Sequence, residues 1–230
     1  MPPKSKRKKS KAKLVQPPVP EVSNEIVFSY TLARSYDTIE SSVIKKKNLR
    51  HNCILECLQI AVEDQTLTIT LKNPGFQTLA ERLQTSAFTD SSITHILHQL
   101  LDVIYLLRLY EIEDIDLDTQ NIFIDKCDNL KVSLFSLINL QSNPLYPGNG
   151  YVDEDYVLQV GQILSYLCQR RAPNEEDESL HAMHQLMLSG MTFAEPEKRM
   201  EVPDLLVMLE ELLYGEKEQD IASLRYNKIK

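Results

Sequence analysis

The pattern of apolar residues divides the chain into short strand-like runs followed by long helix-like runs. Residues 26–32 are rich in β-branched and aromatic residues, and residues 57–61 and 67–71 form two further short runs with many apolar residues, a pattern typical of strands. Between the first two runs, residues 36–49 place apolar side chains on one face at helical spacing. This part of the sequence therefore predicts a small antiparallel sheet with one helix.

The rest of the chain is mostly helical in pattern. Residues 90–110 form the strongest amphipathic segment, with Thr89 or Asp90 as its N-cap. Further helices are predicted at 153–169, 180–191 and 203–214. Two short apolar runs at 122–124 and 130–135 flank an Asp/Asn-rich turn and predict a hairpin. Together the two halves predict an α+β fold.

Composition narrows the class of protein. The chain has 230 residues, of which 43% are hydrophobic and 25% charged, as in soluble globular proteins. We find no apolar run near the roughly 20 residues that span a bilayer and no secretory signal pattern. The sequence therefore predicts an intracellular protein, nuclear or cytoplasmic, without membrane contact.

We find no set of Cys or His residues in the sequence with the complete spacing of a metal site. Cys53 and Cys57 lie four residues apart, but no second pair follows at zinc spacing. His95 and His98 lie three apart on the strongest helix, without a carboxylate that would complete a metal pattern. The expectation is reduced thiols, surface or half-buried histidines, and neither metal nor cofactor.

Charge is distributed unevenly. The first 13 residues carry seven positive charges, from Lys4, Lys6, Arg7, Lys8, Lys9, Lys11 and Lys13. Because the whole chain carries −8, the remainder carries −15. Residues 1–22 are predicted to be a disordered basic arm. The arm fits nuclear import, contact with nucleic acid or a ribosome, contact with an acidic protein surface, or a tail that only aids solubility.

The hairpin carries the most specific motif. Asp116-Leu117 and Asn121 form D-L-x-x-x-N, and Leu134-Phe135-Ser136 follows the hairpin. This stretch resembles the catalytic loop and D-F-G segment of protein kinases. In that family the loop Asp accepts the substrate hydroxyl proton, while the loop Asn and the D-F-G Asp bind magnesium. The resemblance implies that Leu134 replaces the metal-binding Asp.

Weaker matches follow in the order of the kinase fold. Leu49-Arg50-His51-Asn52 resembles the turn after the regulatory helix, with His51 as a turn-fixing imidazole. Asp155 and Gly161 match the central helix of the kinase C-lobe, where the Asp anchors the catalytic-loop backbone. Glu195-Pro196 and Arg199 resemble the late D-P-x-x-R segment. No A-P-E Glu is present, so Arg199 needs a partner other than that residue.

The groups that hold phosphate in active kinases are missing from this sequence. The first glycine is Gly75, so no G-x-G-x-x-G precedes the first helix. No V-A-I-K lysine is found, and Ser42 stands where the regulatory helix carries its ion-pairing Glu. The resemblance implies a pseudokinase domain over residues 23–215, with a reduced N-lobe and a mostly helical C-lobe, followed by a polar tail at 216–230.

The functional expectation is a catalytically inactive kinase-like scaffold or adaptor that binds an unknown protein partner, with Asp116 and Asn121 in structural roles. Two alternatives remain open. One is an RNA-, ribosome- or chromatin-associated factor that acts through residues 4–13. The other is a regulatory switch with residual nucleotide binding.

Overall fold

The computed structural model describes residues 25–31, 40–64, 66–112, 115, 117–135, 152–173 and 177–214. The predicted basic arm at 1–22, the loop after Ser136 and the polar tail at 216–230 lie outside these residues. Statements below refer to the described part of the chain.

The first sheet is antiparallel and contains three strands. They are β1 (Glu25–Thr31), β2 (Cys57–Glu63) and β3 (Thr66–Lys72), in the order β1-β3-β2. Ile69 of β3 lies between Phe28 of β1 and Ile60 of β2. Alternate residues of β3 are fully buried, namely Leu67, Ile69 and Leu71. The period-2 pattern of the sequence therefore reports a sheet with one face on the core.

Helix α1 (Glu40–Asn48) lies between β1 and β2 in the chain. The sequence predicted its start at residue 36, and residues 32–39 lie outside the described part. Val43 is buried on α1, as is Leu49 directly after it. Three lysines stand in its last turn, where cations favour the helix dipole.

The second half is built from helices around α3. Their bounds are α2 (Leu79–Thr85), α3 (Asp90–Leu109), α4 (Val152–Gln169), α5 (Glu178–Met191) and α6 (Val202–Tyr214), with a single 3₁₀ turn at Pro196–Lys198. Helix α3 packs against α4, α5 and α6, and its apolar residues are almost all buried. Thr89 is its N-cap and accepts from the Ser92 N–H at 3.0 Å.

Close approach of α4 and α5 depends on Gly161. A Cβ built at this position would lie 2.8 Å from Thr192 Cγ2 and 3.1 Å from Met191 Cβ. The sequence placed Gly161 in a kinase-like motif, and the packing supplies a physical reason for a glycine there.

A second small sheet joins the two halves. It contains β4 (Gln77–Thr78), β5 (Ile122–Ile124) and β6 (Leu130–Val132), in that order. The predicted second run reached residue 135, but strand pairing ends at Val132. Val132 donates its N–H to Cys53 O at 2.7 Å and accepts from Leu55 N–H at 2.9 Å. The segment after α1 is thereby hydrogen-bonded to the hairpin.

The predicted α+β class is confirmed, with small antiparallel sheets and a mostly helical second half. Among the described helices, none combines the length and the apolar character that a bilayer crossing needs.

Candidate functional site

The segment that matches the kinase catalytic loop is anchored to helix α4. Ile115 and Leu117 are both buried. The Ile115 N–H donates to Tyr156 Oη at 3.2 Å, and the Leu117 N–H donates to Gln159 Oε1 at 2.9 Å. Residues three apart on a helix share a face, so α4 presents both acceptors to the loop. Asp116, between the two anchored residues, lies outside the described residues.

A compact polar turn follows the anchored segment. Asp118 Oδ1 accepts from Thr119 Oγ1 at 3.0 Å and from the Gln120 N–H at 3.3 Å. The Asn121 N–H closes the turn on Asp118 O at 2.9 Å, and Asn121 O accepts from the Ser133 N–H at 2.8 Å. Asn121 and the Leu134 position are therefore brought to the same end of the hairpin.

The hairpin turn is ordered by one carboxylate. Asp125 Oδ1 accepts from the N–H groups of Cys127 at 2.8 Å and Asn129 at 2.9 Å, while Oδ2 accepts from Asn129 Nδ2 at 2.9 Å. Burial alone would raise the pKa of Asp125, but these hydrogen bonds hold it below its usual range. Asp128 takes the left-handed conformation with φ 62°, which aspartate tolerates in turns.

The side chain of Gln99, on α3, holds the hairpin through two hydrogen bonds. Its Oε1 accepts from the Leu130 N–H at 3.0 Å, and its Nε2 donates to Asp128 O at 2.9 Å. The side chain of Asp128 lies 3.7 Å from the guanidinium of Arg82 on α2. Sequence reasoning missed Gln99, whose only signal was an amide among the apolar positions of the strongest helix.

The position that the resemblance assigns to the metal-binding Asp lies in the core. Leu134 and Phe135 are 2% and 3% exposed. Ser133 Oγ donates to Phe135 O at 2.6 Å and accepts from the Phe135 N–H at 3.3 Å. The Ser133 hydroxyl therefore provides a hydrogen-bond partner for both backbone polar groups of Phe135. A hydrocarbon side chain offers none of the oxygen ligands that magnesium requires.

Two predicted structural roles are confirmed or resolved by the contacts. His51 Nδ1 accepts from the Cys53 N–H at 3.2 Å, so the imidazole fixes its turn. Arg199 Nε donates to Phe193 O at 2.8 Å, which supplies a partner that the sequence could not name. The side chain of Asp155, predicted to anchor the loop, lies outside the described residues, and the acceptors that the structure describes are Tyr156 and Gln159.

No three potential metal ligands come together within the described residues. His95 is exposed and lies 3.5 Å from Asn129 Oδ1, whereas His98 Nδ1 lies 3.5 Å from Asp102 Oδ2. Burial raises the pKa of the Cys53 thiol to about 11, a range in which the thiol stays protonated and unreactive at neutral pH. The seven basic residues of the arm are not among the residues described.

A second polar cluster lies at the start of α3, and sequence reasoning missed it. Asp90 is fully buried and receives both Nε (2.9 Å) and Nη2 (2.7 Å) of Arg171. His184 of α5 is also fully buried, with Nδ1 3.7 Å from Asp90 and Nε2 2.9 Å from Thr94 Oγ1. Burial lowers the pKa of His184 despite the opposing charge of Asp90. The sequence suggested only a capping role for Asp90.

Comparison by sequence identifies no relative, since no protein-family model and no curated protein matches the chain. Comparison by structure finds a similar fold. The crystal structure of Rad53 residues 1–466 in complex with AMP-PNP is similar to this chain, with a TM-score of 0.62 and 15% sequence identity. The match covers 79% of this chain and 56% of the Rad53 chain in that structure, so it spans little more than half of the length of that chain. At this identity the likeness concerns the fold, which is kinase-like.

Proposed function

We propose that this chain is a catalytically inactive kinase-like domain that acts as a protein-binding scaffold. The observation that carries the proposal is the burial of Leu134 at the place where the kinase family keeps its metal-binding Asp. Phosphoryl transfer depends on metal ions that bridge and neutralise the phosphates. With a leucine at this position, the chain lacks the carboxylate that would hold them.

The polar groups of the hairpin and the preceding loop support the same proposal. Asp118 and Asp125 accept hydrogen bonds from their own turns, and Ser133 bonds to the backbone of Phe135. Gln99 and Gln159 accept from the hairpin and the loop. These contacts stabilise a backbone conformation, and local side-chain bonds of this kind are typical of structural turns.

A direct test is phosphotransfer by the purified chain. We expect no ADP above a no-enzyme control when ATP, magnesium or manganese, and general protein substrates are supplied. Asp116→Ala is the matched variant, because kinase chemistry would require that carboxylate. ADP formation that disappears in Asp116→Ala would contradict the proposal.

A second candidate function rests on the uneven charge of the sequence. Seven cations within 13 residues precede a remainder of net charge −15. Such an arm neutralises phosphates on nucleic acid, and that binding weakens steeply with salt. The corresponding proposal is an RNA-, ribosome- or chromatin-associated factor that binds through residues 4–13.

One pull-down separates the two candidates. The full chain and a version without residues 1–20 are each used as bait, with and without nuclease. The scaffold proposal predicts that the same protein partners are recovered in all four samples. Loss of all partners after deletion or nuclease treatment would instead favour the nucleic-acid candidate.

A further inference from the structure

An open depression lies between the turn after α1 and strand β6. Its volume is about 370 Å³, within the range of about 300–1,000 Å³ typical of small-ligand sites. Leu49 and Ile54 form its apolar part, and both are nearly buried. The polar part comes from Arg50, His51 and Lys131, together with Asn52 and Glu56.

The polar side chains are held in place by backbone contacts. Arg50 Nη1 donates to Lys47 O at 2.6 Å and to Leu49 O at 3.3 Å. Lys131 Nζ donates to Asn52 O at 2.8 Å. These bonds position both cations at the depression before any ligand arrives, which reduces the ordering cost of binding.

Both cations retain donors beyond these bonds. The bonds of Arg50 use Nη1 alone, and a guanidinium has five N–H groups, so Nε and Nη2 remain. The bond of Lys131 uses one of three ammonium protons. Because His51 Nδ1 accepts from Cys53, the neutral ring carries its proton on Nε2, which is a further donor.

The local charge is positive, although the chain after residue 13 is strongly acidic. Among the described residues, Glu56 supplies the one carboxylate that lines the depression, and its Oε2 lies 3.5 Å from Lys72 Nζ. Arg50 and Lys131 therefore leave an excess of positive charge at the depression. A guanidinium and an ammonium that line the same depression are a combination that binds phosphate oxygens.

We propose that this depression, formed by Arg50, His51 and Lys131, binds a phosphate monoester. The inference is independent of the proposed lack of catalysis, since the depression shares no residue with the catalytic-loop positions Asn121 and Leu134. Free phosphate and a phosphorylated side chain present the same oxygens.

The test is an NMR titration of the full chain with inorganic phosphate, N-acetyl-O-phosphoserine amide and N-acetylserine amide, at constant ionic strength. We expect saturable shifts of the Asn52 and Lys131 amides with the two phosphates and none with N-acetylserine amide. Tighter binding of phosphoserine than of inorganic phosphate identifies a peptide-borne ligand. Equal affinities identify free phosphate, and either result supports the site.

Three variants make the test specific. Lys131→Met keeps the aliphatic part of the side chain and removes the charge, and Arg50→Gln replaces the guanidinium with a neutral amide. Each is expected to weaken phosphate binding about tenfold or more, as for the loss of a charge-assisted hydrogen bond. Lys126→Met removes an exposed lysine of the same hairpin and should bind like the wild type. Unchanged binding in Lys131→Met and Arg50→Gln, an equal loss in Lys126→Met, or no saturable shift in the wild type would overturn the proposal.

Discussion

The hairpin site and the cluster at the start of α3 use polar residues in opposite ways. Around the hairpin, side chains such as Gln99 and Ser133 bond to backbone groups, and the position that the resemblance assigns to the metal-binding Asp is the apolar Leu134. At the start of α3, the buried carboxylate of Asp90 pairs with the partly buried Arg171 and lies 3.7 Å from the buried imidazole of His184. None of these three residues belongs to the hairpin.

The comparison illustrates that buried charged residues need not take part in catalysis. A buried ion pair is poorly tolerated unless both partners are satisfied, and perturbed ionisable groups also occur in structural networks. Asp90 joins α3 to the end of α4 through Arg171 and lies near His184 of α5. We interpret this cluster as a structural junction between three helices.

The largest expected effect comes from removing the carboxylate of the junction. Asp90→Ala leaves Arg171 without its buried partner and should lower the free energy of unfolding by about 3–5 kcal/mol. Urea denaturation measures the change. Glu197→Ala, at an exposed carboxylate, is the control and should stay within about 0.5 kcal/mol of the wild type.

A double variant sharpens this prediction. Asp90→Ala combined with Arg171→Met removes both charges, so it should be more stable than Asp90→Ala alone. A double variant as unstable as the sum of the two single changes would contradict the ion-pair explanation.

Leu134→Ala tests whether Leu134, which the proposal puts at the metal-binding position, is part of the core. Because the side chain is 2% exposed, truncation should cost about 3 kcal/mol in the free energy of unfolding. Leu186→Ala is the matched change at a leucine that is 56% exposed, and it should cost less than about 0.5 kcal/mol. Similar costs for the two variants would argue against a core role for Leu134.

Gln99→Ala tests the two hydrogen bonds that join α3 to the hairpin. It removes the partners of the Leu130 N–H and of Asp128 O, which should cost about 2 kcal/mol by leaving polar groups unsatisfied. The check is thermal and urea unfolding beside Gln185→Ala, an exposed amide on α5. Faster hydrogen exchange of the Leu130 amide should accompany the loss.

The smallest effect is a pH dependence at the junction. Burial keeps the pKa of folded His184 below 6.5, although Asp90 opposes the shift while His181 and Arg171 reinforce it. Between the two pKa values the unfolded chain binds more protons, so stability should be complete above pH 6.5 and fall as the pH drops below it. His184→Gln should flatten this part of the stability profile. An unchanged slope would mean that other groups cause it.

The sequence predicted the elements well because their signals are local. The alternation in β3 and the helical spacing in α3 each follow from the face that they bury. The hairpin was located from its Asp-rich turn, and the turn-fixing role of His51 is confirmed. Element ends shifted by a few residues, as at β6, because strand pairing depends on a partner elsewhere in the chain.

The sequence did not predict the contacts between distant segments. Asp90 and Arg171 lie 81 positions apart, and Gln159 meets Leu117 across 42 positions. Neither distance leaves a periodic pattern in one sequence. Asn121 and Leu134 could be assigned to positions of the kinase motif only by family resemblance. Asp116 lies outside the described residues.

The most direct test of the central claim is the effect of magnesium on ATP affinity, measured by calorimetry on the full chain. Because the proposal puts Leu134 at the position of the metal-binding carboxylate, we predict either no ATP binding or an affinity that magnesium leaves unchanged. Tightening of ATP binding by magnesium, abolished in Asn121→Ala, would show that the site still assembles a metal–nucleotide complex and would contradict the account.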